Sequence, residues 1–221
     1  VTIKKEFEYT ISDQSFLLLA QKALFWKNEQ MLMISDVHLG KAGHFRKHGI
    51  ALPKSSNDEN LSRIDLLIEE YQPNSLLFLG DLFHSEKNDE WDAFKLWRKS
   101  HRDIEFILVL GNHEIYPQSH YELLGIKCYD SYLKSGIKLL HDNSDLSTIG
   151  DNLFCISGHI HPAIQMKGKG RQRLRLPCFH IHSQSLLMPA FGNLTGSFTI
   201  KPSSDDQVFA IIDDQIIEIN T

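Results

Sequence analysis

The sequence predicts an α/β protein built from two packed, mixed β-sheets with helices outside them. Two observations predict it. In the first half, short apolar runs alternate with stretches of helical period, the arrangement of βαβ units. In the second half, short apolar runs follow one another with turns between them and little helical period. A single domain over residues 1–221 accommodates both, because this length suits one α/β domain and no linker rich in Pro, Gly or Ser divides the chain.

Taken in order, residues 31–34 read as a buried strand ending at Ser35-Asp36. Residues 56–71 read as a helix, since Leu61, Ile64, Ile68 and Tyr71 recur at helical intervals. Residues 76–79 form a second apolar run ending at Gly80-Asp81. Trp91, Phe94 and Trp97 mark another amphipathic helix, and their spacing makes the two tryptophans core residues rather than base-stacking platforms. Residues 104–110 form a third run, ending at Gly111-Asn112-His113-Glu114. Beyond them, residues 137–140, 153–157, 171–181, 185–188, 207–212 and 216–219 read as short strands.

Charge and cysteine usage narrow the function. A formal net charge of −5 argues against a generic nucleic-acid coat protein, which is usually basic overall, but leaves room for a local basic groove. Cys128, Cys155 and Cys178 are dispersed and form no CxxC, so neither a disulfide framework nor a zinc ribbon is indicated. The opening VTIKKEFEYT has no signal-peptide h-region, and the apolar runs are strand-sized, too short to span a bilayer. A cytoplasmic protein with free thiols and no membrane partner is expected.

The 12 histidines matter for where they fall. Asp36-x-His38, Gly80-Asp81, Gly111-Asn112-His113, His141 and Gly158-His159-x-His161 each follow an apolar strand directly. Ligands of open α/β sheets bind outside the carboxyl ends of strands, so five loops can deliver these side chains to one place. Asp, Asn and His offer hard oxygen and borderline nitrogen donors, suited to manganese, iron or zinc. The glycines before Asp81, Asn112 and His159 permit tight turns near a ligand. In the two i, i+2 pairs, extended backbone puts both side chains on one face. Each piece alone is ordinary turn chemistry; the joint occurrence, in this order, is what points to a metal centre.

These motifs together resemble the calcineurin-like metallophosphoesterase superfamily. The resemblance implies a β-sandwich flanked by helices, a four-layer αββα arrangement, with two divalent cations, manganese foremost. By that resemblance Asp36, His38 and His161 hold one cation, Asn112, His141 and His159 the other, and Asp81 bridges; His120 is the alternative to His141. Ser35-Asp36-Val37-His38-Leu39-Gly40-Lys41, Phe45-Arg46, Gly49-Ile50, Leu52-Pro53, Arg175-Leu176-Pro177-Cys178-Phe179 and Leu187-Met188-Pro189-Ala190-Phe191-Gly192 resemble the bacterial DNA-ligase-associated metallophosphoesterases. Gly80-Asp81-Leu82-Phe83-His84 is similar to the second motif of Mre11-type nucleases.

The chemistry expected is in-line displacement at phosphorus by a metal-bridging hydroxide, with the cations stabilising charge on the phosphoryl oxygens. His113 is the candidate acid, with Glu114 as a group that orients it or a ligand. His84, three residues after Asp81, is a second catalytic candidate. Lys41, His44, Arg46 and His48 form a stretch able to grip phosphates. Residues 167–175, KGKGRQRLR, carry five basic and no acidic side chains. In a strand Arg171, Arg173 and Arg175 share a face and could track a nucleic-acid backbone. The expected function is a phosphodiesterase or nuclease linked to DNA repair, in company with ligase- or helicase-associated repair proteins. The alternatives are a phosphomonoesterase, a cyclic-nucleotide or small-molecule phosphodiesterase, and a metal-binding scaffold without activity.

Overall fold

The computed structural model describes residues 3–41, 56–84, 89–112, 114–144, 153–168 and 172–219. The chain begins with β1 (Ile3–Lys4), β2 (Glu6–Ile11), β3 (Gln14–Leu19), β4 (Ala23–Trp26) and β5 (Met31–Ser35). Then come α1 (Ser56–Tyr71), β6 (Ser75–Leu79), α2 (Asp89–Ser100), β7 (Glu105–Val109), α3 (Gln118–Glu122) and β8 (Ile126–Tyr129). The second half holds β9 (Tyr132–Lys134), β10 (Ile137–Leu140), β11 (Phe154–Ser157), β12 (Pro162–Lys167) and β13 (Arg173–His182). It closes with β14 (Ser185–Leu187), β15 (Phe198–Thr199), β16 (Gln207–Ile212) and β17 (Gln215–Ile219).

Two mixed sheets result, as expected. One has seven strands in the order β2-β3-β4-β5-β6-β7-β8, and the other has ten, in the order β1-β17-β16-β13-β14-β11-β10-β9 with β12 and β15 branching from β13. Strands β5 to β8 run parallel, as do β10 and β11. Between the sheets Phe16, Trp26, Met33, Leu77 and Ile107 meet Ile137, Ile156, Phe179 and Phe209. On the far side of the seven-stranded sheet, Leu32, Ile34, Leu76, Phe78, Phe106 and Leu108 are covered by Leu61, Ile64 and Leu67 of α1, Phe94 of α2 and Tyr121 of α3. Strands β5, β6 and β7 are therefore buried on both faces, which is why they read as unbroken apolar runs rather than alternating ones. Trp91 and Trp97 pack into this second core, as their spacing predicts. Helix α1 ends at Tyr71 because Gln72 takes a left-handed backbone (φ 45°) and Pro73 follows it.

Residues 6–26, to which the apolar-run reading assigns no element, form an antiparallel meander that extends the parallel strands. Its first strand alternates between exposed Glu and half-buried Phe7 and Tyr9, and Phe7 lies against Phe209 of the opposite sheet with ring centroids 4.6 Å apart. The strand expected over residues 171–181 runs Arg173–His182, and Arg171 lies outside the described residues. Among the described residues both long helices lie over the seven-stranded sheet. On the outer face of the ten-stranded sheet Leu176, Cys178, Ile200, Val208 and Ala210 form a small further cluster. Cys155 and Cys178 are fully buried and free, and burial pushes both thiols up to about 12, so neither is a nucleophile near neutrality. No helix among the described residues is long and apolar enough to cross a membrane.

A carboxylate ties down the segment before β16. Asp206 accepts hydrogen bonds from His180 at 2.7 Å, from His182, and from the backbone N–H and hydroxyl of Ser203 at 3.0 and 2.7 Å. Burial raises its pKa, but the bonds from His182, His180 and Ser203 outweigh burial and hold the carboxyl well below the usual range. A depressed folded-state pKa contributes stability that is present above the unfolded value of about 3.9 and lost as the pH falls through the folded one. Asp206→Asn is therefore expected to lower the Tm by several degrees at pH 7, and the deficit should shrink below about pH 4. Thermal melts of both proteins across pH 3–7 check this; a deficit that grows towards low pH would contradict it.

Candidate metal centre

The carboxyl ends of β5, β6 and β7 meet those of β10 and β11 at one end of the sandwich. The strand pairing continues into the loops beyond them. His38 N–H donates to Asp81 O at 3.0 Å, Leu39 N–H to Leu82 O at 2.8 Å, and His84 N–H to Leu39 O at 2.8 Å. From below, the segment after β14 supports the first loop: Phe191 N–H donates to Ser35 O (2.9 Å), Gly192 N–H to Asp36 O (3.2 Å) and the Ser35 hydroxyl to Pro189 O (3.1 Å). Arg63 of α1 anchors that segment through Phe191 O and Asn193 Oδ1, both at 3.0 Å, with its guanidinium 4.0 Å from the Phe191 ring centroid.

Six of the seven expected ligands fall into two groups whose donor atoms lie within 4.8 Å of one another: Asp36, His38 and His161, and Asp81, His141 and His159. The seventh, Asn112, donates its amide N–H to Asp142 Oδ2 at 3.3 Å beside the second group. His141 is almost fully buried; its Nε2 lies 3.5 Å from Asp81 Oδ1 and 3.1 Å from His159 Nδ1. The alternative, His120, is exposed on α3 and packs near Trp91 and Tyr116 instead.

The pairs Asp36-x-His38 and His159-x-His161 converge by a different route from the one expected. Extended backbone does not align them: Asp36, His38, Asp81, His159 and His161 all have left-handed backbone, with φ between 45° and 62°. Such conformations cost on the order of 1–3 kcal/mol each and persist where the surrounding structure over-determines them. The glycines also act differently. A Cβ on Gly80 would lie 1.9 Å from His141 Nδ1, one on Gly111 2.3 Å from Asp81 Oδ1, and one on Gly158 2.5 Å from Asp36 Oδ2. Each glycine makes room for a donor on a different loop.

The donors fit cations. His161 Nδ1 lies 3.0 Å from Gly196 O, to which it can donate only as N–H, so in the neutral ring Nε2 is the lone-pair atom. That Nε2 stands 3.1 Å from Asp36 Oδ1, and both atoms are buried without a hydrogen-bond partner. A proton on Nε2 or a bound cation supplies the positive charge that this buried contact needs. Burial raises the Asp36 carboxyl, but His161, His141 and His38 around it outweigh burial and hold it below the ordinary value. Burial pushes His38 down to about 3, assisted by Lys41, His161 and His84 against the pull of Asp36, so its ring is neutral and able to bind a metal.

The remaining candidates divide. His84 stands edge-on to His38 with ring centroids 5.4 Å apart, beside the first group but outside it. Lys41 is half-buried; burial lowers its pKa, opposed by Asp81 and Asp36. Arg173 and Arg175 are exposed on β13, two residues apart and hence on one face, and Arg175 reaches Ser197 O at 3.5 Å. Their strand pairs with β12, which starts immediately after His161. His113, His44, Arg46, His48 and Arg171 lie outside the described residues. Two contributors escaped the sequence reading: Asp142, which holds Asn112, and the segment 189–196, read only as a signature. Asp142 directly follows His141, a neighbourhood that could have drawn notice.

Residues 30–187 match the family model described as calcineurin-like phosphoesterase. Among solved structures, the nuclease MPE of Pseudomonas putida is 26% identical, covering 97% of this chain and 100% of its own, with a TM-score of 0.79. YfcE, a phosphoesterase from E. coli, is 12% identical over 86% of this chain and 98% of its own, with a TM-score of 0.45. No curated protein matches the chain.

Proposed function

The chain belongs to the calcineurin-like phosphoesterase family, hence to the metal-dependent phosphoesterases, and on that footing we propose that it is a phosphodiesterase that cleaves nucleic acid. The observation that carries the reading is the convergence of six donors in two adjacent groups, Asp36–His38–His161 and Asp81–His141–His159, each with its donor atoms within 4.8 Å of one another. Asp36, His38 and His161 would hold one cation, and His141, His159 and Asn112 the other, with Asp81 shared. When bound, two cations supply a nucleophile by acidifying water and neutralise charge on the phosphoryl oxygens. The oxygen and imidazole donors favour manganese, with iron or zinc as alternatives.

The protein's own groups orient the substrate around that centre. Lys41, half-buried next to the acidic donors, offers a cation to a phosphate oxygen. His84, beside His38, can donate to the phosphate or the leaving oxygen, and His113 is proposed as the acid that protonates the leaving group. Full-length overlap with a nuclease supports a nucleic-acid substrate, and the exposed Arg173 and Arg175 offer its backbone a path away from the centre. The ligase-associated resemblance extends the proposal to DNA repair, with repair proteins as partners.

The test is a substrate panel with Mn²⁺: bis-p-nitrophenyl phosphate, p-nitrophenyl phosphate, 2′,3′-cyclic nucleotides and single-stranded DNA. Diester and DNA cleavage is expected; cleavage of the monoester alone would reject the diesterase reading, and inactivity on all four with metals bound would favour a scaffold. Arg173→Ala with Arg175→Ala should weaken DNA binding and flatten its salt dependence, by about 0.7 in log–log slope for each phosphate no longer neutralised. An unchanged slope would remove the two arginines from the DNA path.

A further inference from the structure

Glu114 lies between two of the proposed ligand loops without belonging to either donor group. Its Oε1 accepts the backbone N–H of Leu82, the residue after Asp81, at 3.2 Å. Glu114 itself stands two residues after Asn112, in the second of these loops. Its Oε2 accepts the hydroxyl of Tyr121, in α3, at 2.7 Å. One side chain thus ties its own loop to two other segments.

The position of this carboxylate in the fold gives the bonds a purpose. The β6–β7 ladder ends at Leu79 and Val109. Beyond that point Glu114 links the two loops where backbone pairing has stopped. The loops touch: a Cβ on Gly111 would stand 2.3 Å from Asp81 Oδ1. A small slip of one loop along the other therefore displaces Asp81 relative to Asn112. Tyr121 is fully buried, and its ring lies 5.6 Å from that of Trp91 and 6.4 Å from that of Phe83, two residues after Asp81. Its hydroxyl is held by that packing and fixes the carboxylate in turn. A desolvated carboxylate is costly unless its lone pairs are occupied, so this half-buried one prefers the arrangement that satisfies both donors.

From this we propose that Glu114 is a positioning residue: it sets the spacing between the Asp81 and Asn112 loops, and Tyr121 holds it in place. The inference rests on the reading of Asp81 and Asn112 as cation ligands. It assigns Glu114 a role towards the ligand loops rather than towards His113.

Calorimetric titration of Mn²⁺ into metal-stripped protein tests it, with circular dichroism to verify folding. In Glu114→Gln, affinity for one of the two equivalents should fall about 10–100-fold, as for other groups that orient metal ligands. Tyr121→Phe, which keeps the ring and removes only the hydroxyl, should show a smaller fall at the same equivalent. The other equivalent, which shares Asp81 but not Asn112, should be weakened less in both. If Glu114→Gln does not fold, Tyr121→Phe carries the test. Equal weakening of both equivalents in a folded variant would mean a general structural role and would overturn the inference. Unaltered affinity in both variants would overturn it while leaving the cation reading intact. Wild-type protein that takes up no Mn²⁺ would overturn the cation reading and this inference with it.

Discussion

Asp36→Asn is expected to lower kcat/KM for a phosphodiester by on the order of 10³-fold or more and to abolish uptake of one equivalent of Mn²⁺. Asp36 is fully buried, and its Oδ2 is already engaged by the backbone N–H of His159 at 3.0 Å. Its Oδ1 faces His161 at 3.1 Å and His141 at 3.9 Å. Removing the charge leaves His38 and His161 as neutral donors with no anion to balance a divalent ion. An asparagine NH₂ turned towards His161 would also put a donor where a cation must sit. Charge stabilisation by a catalytic metal is worth several kcal/mol, and each ~1.4 kcal/mol is tenfold in rate, which sets the magnitude. Steady-state kinetics and metal titration check it; turnover within tenfold of wild type would show that Asp36 is not a ligand.

Gly80→Ala should be the second most damaging substitution, although it changes no chemical group. Gly80 has φ 75°, and an added Cβ would lie 1.9 Å from Nδ1 and 2.3 Å from Cγ of His141. That ring is not a flexible tip: it is 2% exposed and its Nδ1 lies 3.2 Å from Leu79 O. Overpacking costs about 1–3 kcal/mol and left-handed backbone for an L-residue about 1–2 kcal/mol. Together these correspond to a Tm lower by roughly 4–20 °C for a chain of this size. Activity should fall about 10²-fold or more, because a misplacement of about 1 Å near the reacting centre costs that much. Gly136→Ala is the control: its φ is 77°, yet nothing lies within 4 Å of the added Cβ. It should lose about 1–2 kcal/mol of stability and keep full activity. Equal activity in the two variants would rule out the steric clash as the cause.

The same Gly80–His141 packing explains what the sequence did and did not reveal. Strands β5, β6 and β7 were legible because burial on both faces makes them unbroken apolar runs. The motifs after them were legible because glycine, acid and histidine stand side by side. His141 is the faintest of the seven because the glycine that makes room for it, Gly80, lies in the loop after another strand; Leu139-Leu140-His141-Asp142 carries no local mark. The left-handed backbone at Asp36, His38, His159 and His161 was hidden for a related reason. Outside local turns, non-glycine residues take it where long-range contacts support it, such as Gly192 N–H on Asp36 O and His159 N–H on Asp36 Oδ2. The meander of residues 6–26 went unread because its strands alternate or are short, and their pairing is fixed by neighbours. Glu114 stands beside His113 in the sequence, but its bonds to Leu82 and Tyr121 join segments that no spacing rule connects.

The most direct measurement follows hydrolysis of bis-p-nitrophenyl phosphate while Mn²⁺ is added stepwise to chelator-stripped protein. The rate should start near zero, rise with added metal and reach its plateau only once two equivalents are bound. A plateau at one equivalent, or hydrolysis that does not depend on metal, would contradict a centre built from both the Asp36–His38–His161 and the Asp81–His141–His159 groups.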